Sequence, residues 1–230
     1  MALIEVRQVE KIYNAGMVPV HALKGVSLRV EPGEFTVVVG PSGSGKTTLL
    51  NLIGGLDKPT SGTVLLDGID LAALGRGDLV DFRLHHIGFV FQAYNLIPVL
   101  TAEENVEFVM LLQRKPREVR RKTVRDLLKA VGLGEKMRNR VSELSGGQQQ
   151  RVAVARALAS GPSYVLADEP TANLDSEAAG TLLGIMETLN RERKTTFVFS
   201  THDPRVVGRA RRVIRLVDGR VSEDTTRALT

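Results

Sequence analysis

The sequence predicts an α/β protein with a mainly parallel core sheet and an inserted helical subdomain, and three observations carry that prediction. Two buried-strand runs, YVLAD and TTFVFS, are separated by a helical segment containing Leu182, Leu183, Ile185, Met186 and Leu189, the alternation that builds parallel sheets. An earlier strand-like run, FTVVVG, feeds a glycine-rich loop and then a helical pattern. Between these regions, from Thr101 to about Gly134, apolar residues fall at helical spacing.

Taken in order, the chain opens with LIEVRQV and GVSLRV, short runs rich in Val and Ile, followed by a Pro32-Gly33 turn and FTVVVG. The next helix is expected from Lys46 through Leu49, Leu50, Leu52 and Ile53, with Gly54 and Gly55 as its stop. TVLLDGID reads as a hairpin turning on Asp67-Gly68. After the strand run HIGFVFQ, Thr101 and Glu104 stand in capping-box spacing and open the helical insertion. VIRLVDGRV reads as a closing hairpin on Asp218-Gly219, with a polar tail expected from about Ser222. There is no internal repeat, heptad array or low-complexity linker.

Composition narrows the function classes. At 230 residues and 43% hydrophobic content the chain can bury a full core. It has no cysteine, which excludes disulfides, thiolate metal sites and cysteine redox chemistry, and fits a reducing cytosolic setting. No apolar run reaches the roughly 20 residues that cross a bilayer, and charges interrupt the N-terminal stretch MALIEVRQVEKIY. A soluble, unexported chain is expected. The net charge of +5 lies largely in Arg114 to Arg125 and Arg205 to Arg215. There Val119, Val124, Leu127 and Leu128, or Val206, Val207, Val213 and Ile214, interleave with the cations, as on amphipathic elements with solvated faces, the alternative being attraction to anionic lipid or to a partner's acidic surface. No nucleic-acid partner is expected.

The chemistry-bearing residues begin with GPSGSGKTT, Gly40 to Thr48, a G-x-x-x-x-G-K-[ST] pattern between a predicted strand and a predicted helix. Gly40, Ser42, Gly43, Ser44, Gly45, Lys46, Thr47 and Thr48 form the candidate phosphate cradle. Gly43 and Gly45 let backbone N–H groups bend toward phosphate oxygens, Lys46 offers a point charge to the β and γ phosphates, and Thr47 supplies a hydroxyl to Mg²⁺. Downstream, YVLADEP places Asp168 and Glu169 where a buried run ends, as carboxylates at the mouth of a parallel sheet. Asp168 is the candidate Mg²⁺ holder, and Glu169 the candidate general base that polarises the attacking water. These features describe a phosphate-loop (P-loop) NTPase.

LSGGQQQR, Leu144 to Arg151, narrows the class. Ser145 and Gln148 stand in capping-box spacing before the helical run QRVAVARALA, so Ser145, Gly146, Gly147 and Gln148 mark a second helix N-terminus, expected to hold free N–H groups under little steric cover. The motif resembles the signature of ABC ATPases, and the other motifs follow in that family's order over most of the chain. The resemblance implies the ABC ATPase fold as a single domain over 1–230. A catalytic core with an N-terminal antiparallel β subdomain would take 1–92 and 160–230, and a helical subdomain 93–159. It implies binding and hydrolysis of ATP with Mg²⁺, and a two-fold dimer in which the Ser145 loop faces the phosphate loop of a second ATPase subunit.

Further roles come from the resemblance alone. Tyr13 in EKIYN matches the aromatic that stacks on adenine; Gln92 matches the residue that reaches Mg²⁺ and the attacking water while its loop touches a permease. His202 in STHDP matches the switch that contacts γ-phosphate, and Asp175 in TANLD matches the loop crossing the dimer axis, although it also fits an N-cap. The family often carries Ser-Ala before that Leu-Asp, where this chain has Ala172 and Asn173. FVFQAYNLIPVLTAEENVEF is similar to the subgroup whose permeases resemble the macrolide exporter MacB, the lipoprotein-releasing complex and the cell-division pair FtsE and FtsX. The implied setting is a peripheral subunit on the cytoplasmic face of the inner membrane, driving a separate integral membrane permease in export or mechanotransmission. The alternatives are an FtsE-like division regulator and a soluble ABC ATPase acting without transport.

Overall fold

A computed structural model describes residues 2–14 and 18–226. The elements in chain order are β1 (Ile4–Tyr13), β2 (Val20–Val30), β3 (Phe35–Val39), α1 (Lys46–Ile53), β4 (Ser61–Leu66), β5 (Ile69–Asp70), α2 (Arg76–His86) and β6 (Ile87–Val90). They continue as α3 (Ala102–Leu112), α4 (Arg117–Ala130), α5 (Gly146–Ala159), β7 (Tyr164–Asp168), α6 (Ser176–Arg193), β8 (Thr196–Ser200), α7 (Pro204–Arg209), β9 (Arg212–Val217) and β10 (Arg220–Thr226). The chain divides into two compact units, Met1–Asp81 with Thr196–Thr230, and Phe82–Thr195.

In the first unit an antiparallel sheet runs in the order β2-β1-β4-β5, the expected N-terminal β subdomain. Its last hairpin turns on Asp67 and Gly68 at φ 49 and 79, the paired positive angles that match the strands' right-handed twist. In the same unit β3 pairs in parallel with β8 on one side and with β9 on the other. Flanked on both edges, β3 is buried at all five positions, which explains why FTVVV reads as a continuous run rather than an alternation. Phe35, Phe197 and Phe199 fill this core with ring centroids 4.6 to 5.9 Å apart.

The closing hairpin turns on Asp218-Gly219 as expected, but the chain beyond it corrects the sequence reading. Ser222 to Thr226 is not a polar tail; it belongs to β10, paired antiparallel with β9. β10 is an edge strand whose polar side chains face outward, and cross-strand ion pairs hold it. Arg212 lies 2.7 Å from Asp224 and Arg215 lies 3.4 Å from Glu223.

The second unit contains the parallel pair β6 and β7 with α3 to α6. The helices expected in 93–159 lie inside it, joined by β6, β7 and α6. Val106, Met110, Leu127, Leu128, Val152 and Val154 are fully buried among them. The starts of α3 and α6 follow their sequence signals. Thr101 and Glu104 close a capping box on α3, and Asp175 accepts from Ala178 N–H at 2.8 Å to cap α6. Buried Asn105 ties the preceding loop to α3, accepting from Ile97 N–H and donating to the Ile97, Leu100 and Thr101 carbonyls. Among the described residues no helix is long and apolar enough to cross a membrane.

Candidate functional site

The phosphate loop leaves β3 at Gly40 and enters α1 at Lys46. Gly43 and Gly45 have φ of 78 and 101, conformations that a side chain resists. Gly40 and Gly45 also admit close neighbours: a Cβ would lie 2.1 Å from the Leu216 carbonyl oxygen at one and 2.5 Å from that of Ala22 at the other. Strands β9 and β2 thus press the loop into shape. No side chain caps α1, whose N-cap is Gly45 in a left-handed conformation. Lys46 is 9% exposed, and its ammonium donates to the Gly40 and Pro41 carbonyls at 2.9 and 3.0 Å. A partly buried ammonium beside a helix start without a side-chain cap is an arrangement that suits a polyphosphate.

The same unit brings two more expected residues to this loop. His202 follows β8, is presented at a turn capped by Asp203 with Pro204 as the first helical residue, and lines a cavity of about 450 Å³ with Gly40, Pro41 and Arg215. Tyr13, at the end of β1, shares a hydrogen bond with the Thr48 side chain and donates its hydroxyl to Asp57 at 2.9 Å. Lys11 stands 4.8 Å from the Tyr13 ring centroid and 2.7 Å from Asp57. One ring face is therefore taken by a cation, and a planar base can use only the other. Burial raises the Tyr13 phenol. At Asp57 burial favours the neutral acid, but hydrogen bonds from Lys11, the Lys58 N–H and Tyr13 outweigh it and hold the carboxyl below its ordinary range.

The second unit groups Gln92, Ser145 to Gln148, Asp168 and Glu169. Gln92 is exposed just past β6, and its carbonyl accepts from Asn173 Nδ2 at 2.9 Å. Asp168 ends β7, and Glu169 follows it with φ 46, a left-handed backbone that a side chain adopts at a cost. Ser145 caps α5 by accepting from Gln148 N–H at 3.4 Å, while Gln148 Oε1 accepts from Ser145 N–H at 3.1 Å. The expected openness of this loop is corrected. A Cβ on Gly146 would lie 2.9 Å from the Tyr94 hydroxyl, and one on Gly147 2.9 Å from the Ala178 Cβ. These glycines serve close packing as well as access.

Sequence reasoning missed Lys11 and Asp57, which hold Tyr13, and Gln150 and Arg156, which reach the Gln92 loop from α5. For Gln150 a signal existed: it shares the buried face of α5 with Val154, Ala157 and Leu158, where a glutamine breaks an apolar stripe.

A strand that delivers its chain through a glycine loop onto a helix beginning at lysine defines the phosphate-loop nucleoside triphosphatases. The profile of the family described as ABC transporter matches residues 23–172, and the chain belongs to that family. It binds ATP and is an ATPase of that family. An uncharacterized ABC transporter ATP-binding protein of Thermotoga maritima is 47% identical over 95% of this chain and 93% of its own length. The lipoprotein-releasing system ATP-binding protein LolD of Anaeromyxobacter dehalogenans is 49% identical over 96% and 93%. The macrolide export ATP-binding/permease protein MacB 1/2 of Paracoccus denitrificans is 46% identical over 96% of this chain, which spans 33% of that larger protein. Among solved structures, a dimeric post-hydrolysis state of an ATP-binding cassette bound to ADP and Pi matches with a TM-score of 0.90 and 43% identity, over 99% of this chain and 100% of that one.

Proposed function

We propose that this chain powers an ABC transporter as one of two ATPase subunits that close on ATP and drive a separate membrane permease from the cytoplasmic face of the inner membrane. The observation that carries the reading is the Lys46 ammonium folded into the loop beneath α1, with His202 lining the adjoining cavity. Similarity to a LolD and a MacB protein supports export or mechanotransmission as the task, and likeness to a dimeric cassette supports pairing.

In this reading Lys46 and the N–H groups of Gly43 to Thr48 hold the β and γ phosphates, while Tyr13 stacks its uncovered face on adenine. His202 contacts the γ-phosphate. Glu169 takes the proton of the attacking water, and Gln92 orients that water. Ser145, Gly146, Gly147 and Gln148 meet the nucleotide held by the second subunit. By their chemistry Thr47, Gln92 and Asp168 would supply oxygen donors to Mg²⁺, a hard cation held by few protein ligands plus phosphate and water. The described residues offer no cluster of three or more His, Cys, Asp or Glu that would cage a metal by itself. When bound, Mg²⁺ neutralises phosphate charge; positioning is left to the chain.

Replacing Glu169→Gln tests the assignment. Turnover is expected to fall by roughly 100-fold or more, the scale of a lost general base, while an ATP-bound dimer accumulates in size-exclusion chromatography with light scattering. Wild-type turnover would remove Glu169 from the role.

A further inference from the structure

The geometry points to Gln150, assisted by Asn173, as a positioning residue for hydrolysis: one buried carboxamide holds the backbone beside both Gln92 and Glu169. Gln150 lies on α5 with no exposed surface. Its Nε2 carries two hydrogens and uses them on two carbonyls, that of Phe91 at 3.3 Å and that of Pro170 at 2.9 Å. Phe91 immediately precedes Gln92, and Pro170 immediately follows Glu169. The two residues named for water orientation and proton transfer are thus each one peptide from the same amide group.

Packing alone does not explain a glutamine here. Its neighbours on the buried face of α5 are Val154, Ala157 and Leu158, so methionine would fill the same space. Its Oε1 is buried and finds no hydrogen-bond partner among the described residues. A flipped amide would set that oxygen against two carbonyl oxygens, so the acceptors fix which end of the group points at them. An orphaned acceptor is tolerated where the donors are needed.

The rest of the Gln92 loop is gripped in the same manner. Asn173 Nδ2 donates to the Gln92 carbonyl at 2.9 Å, and Arg156, also on α5, donates to the carbonyls of Tyr94 at 3.0 Å and Asn95. Tyr94 and Asn95 have φ of 57 and 50, so the loop turns through two left-handed residues that these bonds hold in place. Asn173 stands where the ABC pattern often has alanine, and alanine could not make its bond. Because Ser145 caps α5, the helix that carries the signature motif also holds the Gln92 loop and the Glu169 turn, through Gln150 and Arg156.

This inference rests on the proposed roles of Gln92 and Glu169, and the experiment separates the two. In the full-length chain, Gln150→Met is expected to lower kcat for ATP by roughly 10- to 100-fold, as misplacement of reacting groups does, with KM within about twofold because the phosphate loop is untouched. Hydrogen exchange should quicken selectively in 89–95 and 168–173. Asn173→Ala, at an exposed position that folding tolerates, is expected to lower kcat by roughly fivefold, the scale of one hydrogen bond, and keeps the test alive if Gln150→Met does not fold. An unchanged kcat in either folded variant overturns that residue's role. Proportionate loss of kcat and KM with faster exchange throughout the chain would show a merely structural residue and overturn the inference. If Glu169→Gln, assayed in parallel, keeps its turnover, the parent reading fails instead.

Discussion

Two helix N-termini carry the motifs of this protein, and they are built in opposite ways. α1 starts from Gly45 in a left-handed conformation, has no side-chain cap, and has its charge supplied by a lysine that folds back over the loop. α5 starts from Ser145 in an extended conformation and caps itself reciprocally with Gln148, using neutral groups alone. The first end spends no side chain on a cap and sets a cation beside it. The second satisfies part of its own hydrogen bonding and keeps its glycines for close neighbours. The difference teaches that a helix start becomes a strong anion site when the chain withholds the cap, not merely when glycines surround it.

The largest effect expected from this contrast is at Lys46. Lys46→Ala should weaken ATP binding by roughly 10- to 100-fold in titration calorimetry, the worth of a charge-assisted contact; unaltered binding would mean that backbone donors suffice and would erase the contrast. At the other helix, Ser145→Ala should cost about 1 kcal/mol in denaturant unfolding, as a lost N-cap does, and no cost would mean that the 3.4 Å bond contributes nothing.

Acidity sharpens the comparison with the smallest effect. The Tyr13 side of the first unit leans on Asp57, whose carboxyl is held below its ordinary range, whereas the α5 cap contains no titratable group. A lowered carboxyl pKa contributes stability that is complete above the unfolded value and is lost as pH falls through the folded one. The Tm difference between wild type and Asp57→Asn should therefore hold steady at neutral pH and close only below the usual carboxylate range. The difference for Ser145→Ala should stay constant across the same interval.

Much of this was legible because it is local. Capping boxes at Thr101 and Ser145, the N-caps Asp175 and Asp203, and the Asp-Gly turns each declare themselves within four residues. The phosphate loop is likewise a contiguous string. What stayed hidden depends on partners distant in sequence. Ser222 to Thr226 reads as a tail because its composition is polar, and only pairing with β9 and the reach of Arg212 to Asp224 make it a strand. Gln150 reaches Phe91 across 59 residues, and Asn173 reaches Gln92 across 81. α2 carries too weak an apolar stripe to announce itself, with Phe82 its one buried residue.

The left-handed backbone at Glu169 has a consequence for what can vary there. A non-glycine residue at such an angle costs about 1 to 2 kcal/mol, a strain glycine would relieve at the cost of the entropy it adds to the unfolded chain. Backbone strain is thus set against the very carboxylate to which the proposed mechanism assigns the proton. If Glu169 holds the proposed role, selection for thermal resistance alone presses against this strained backbone and puts turnover at risk.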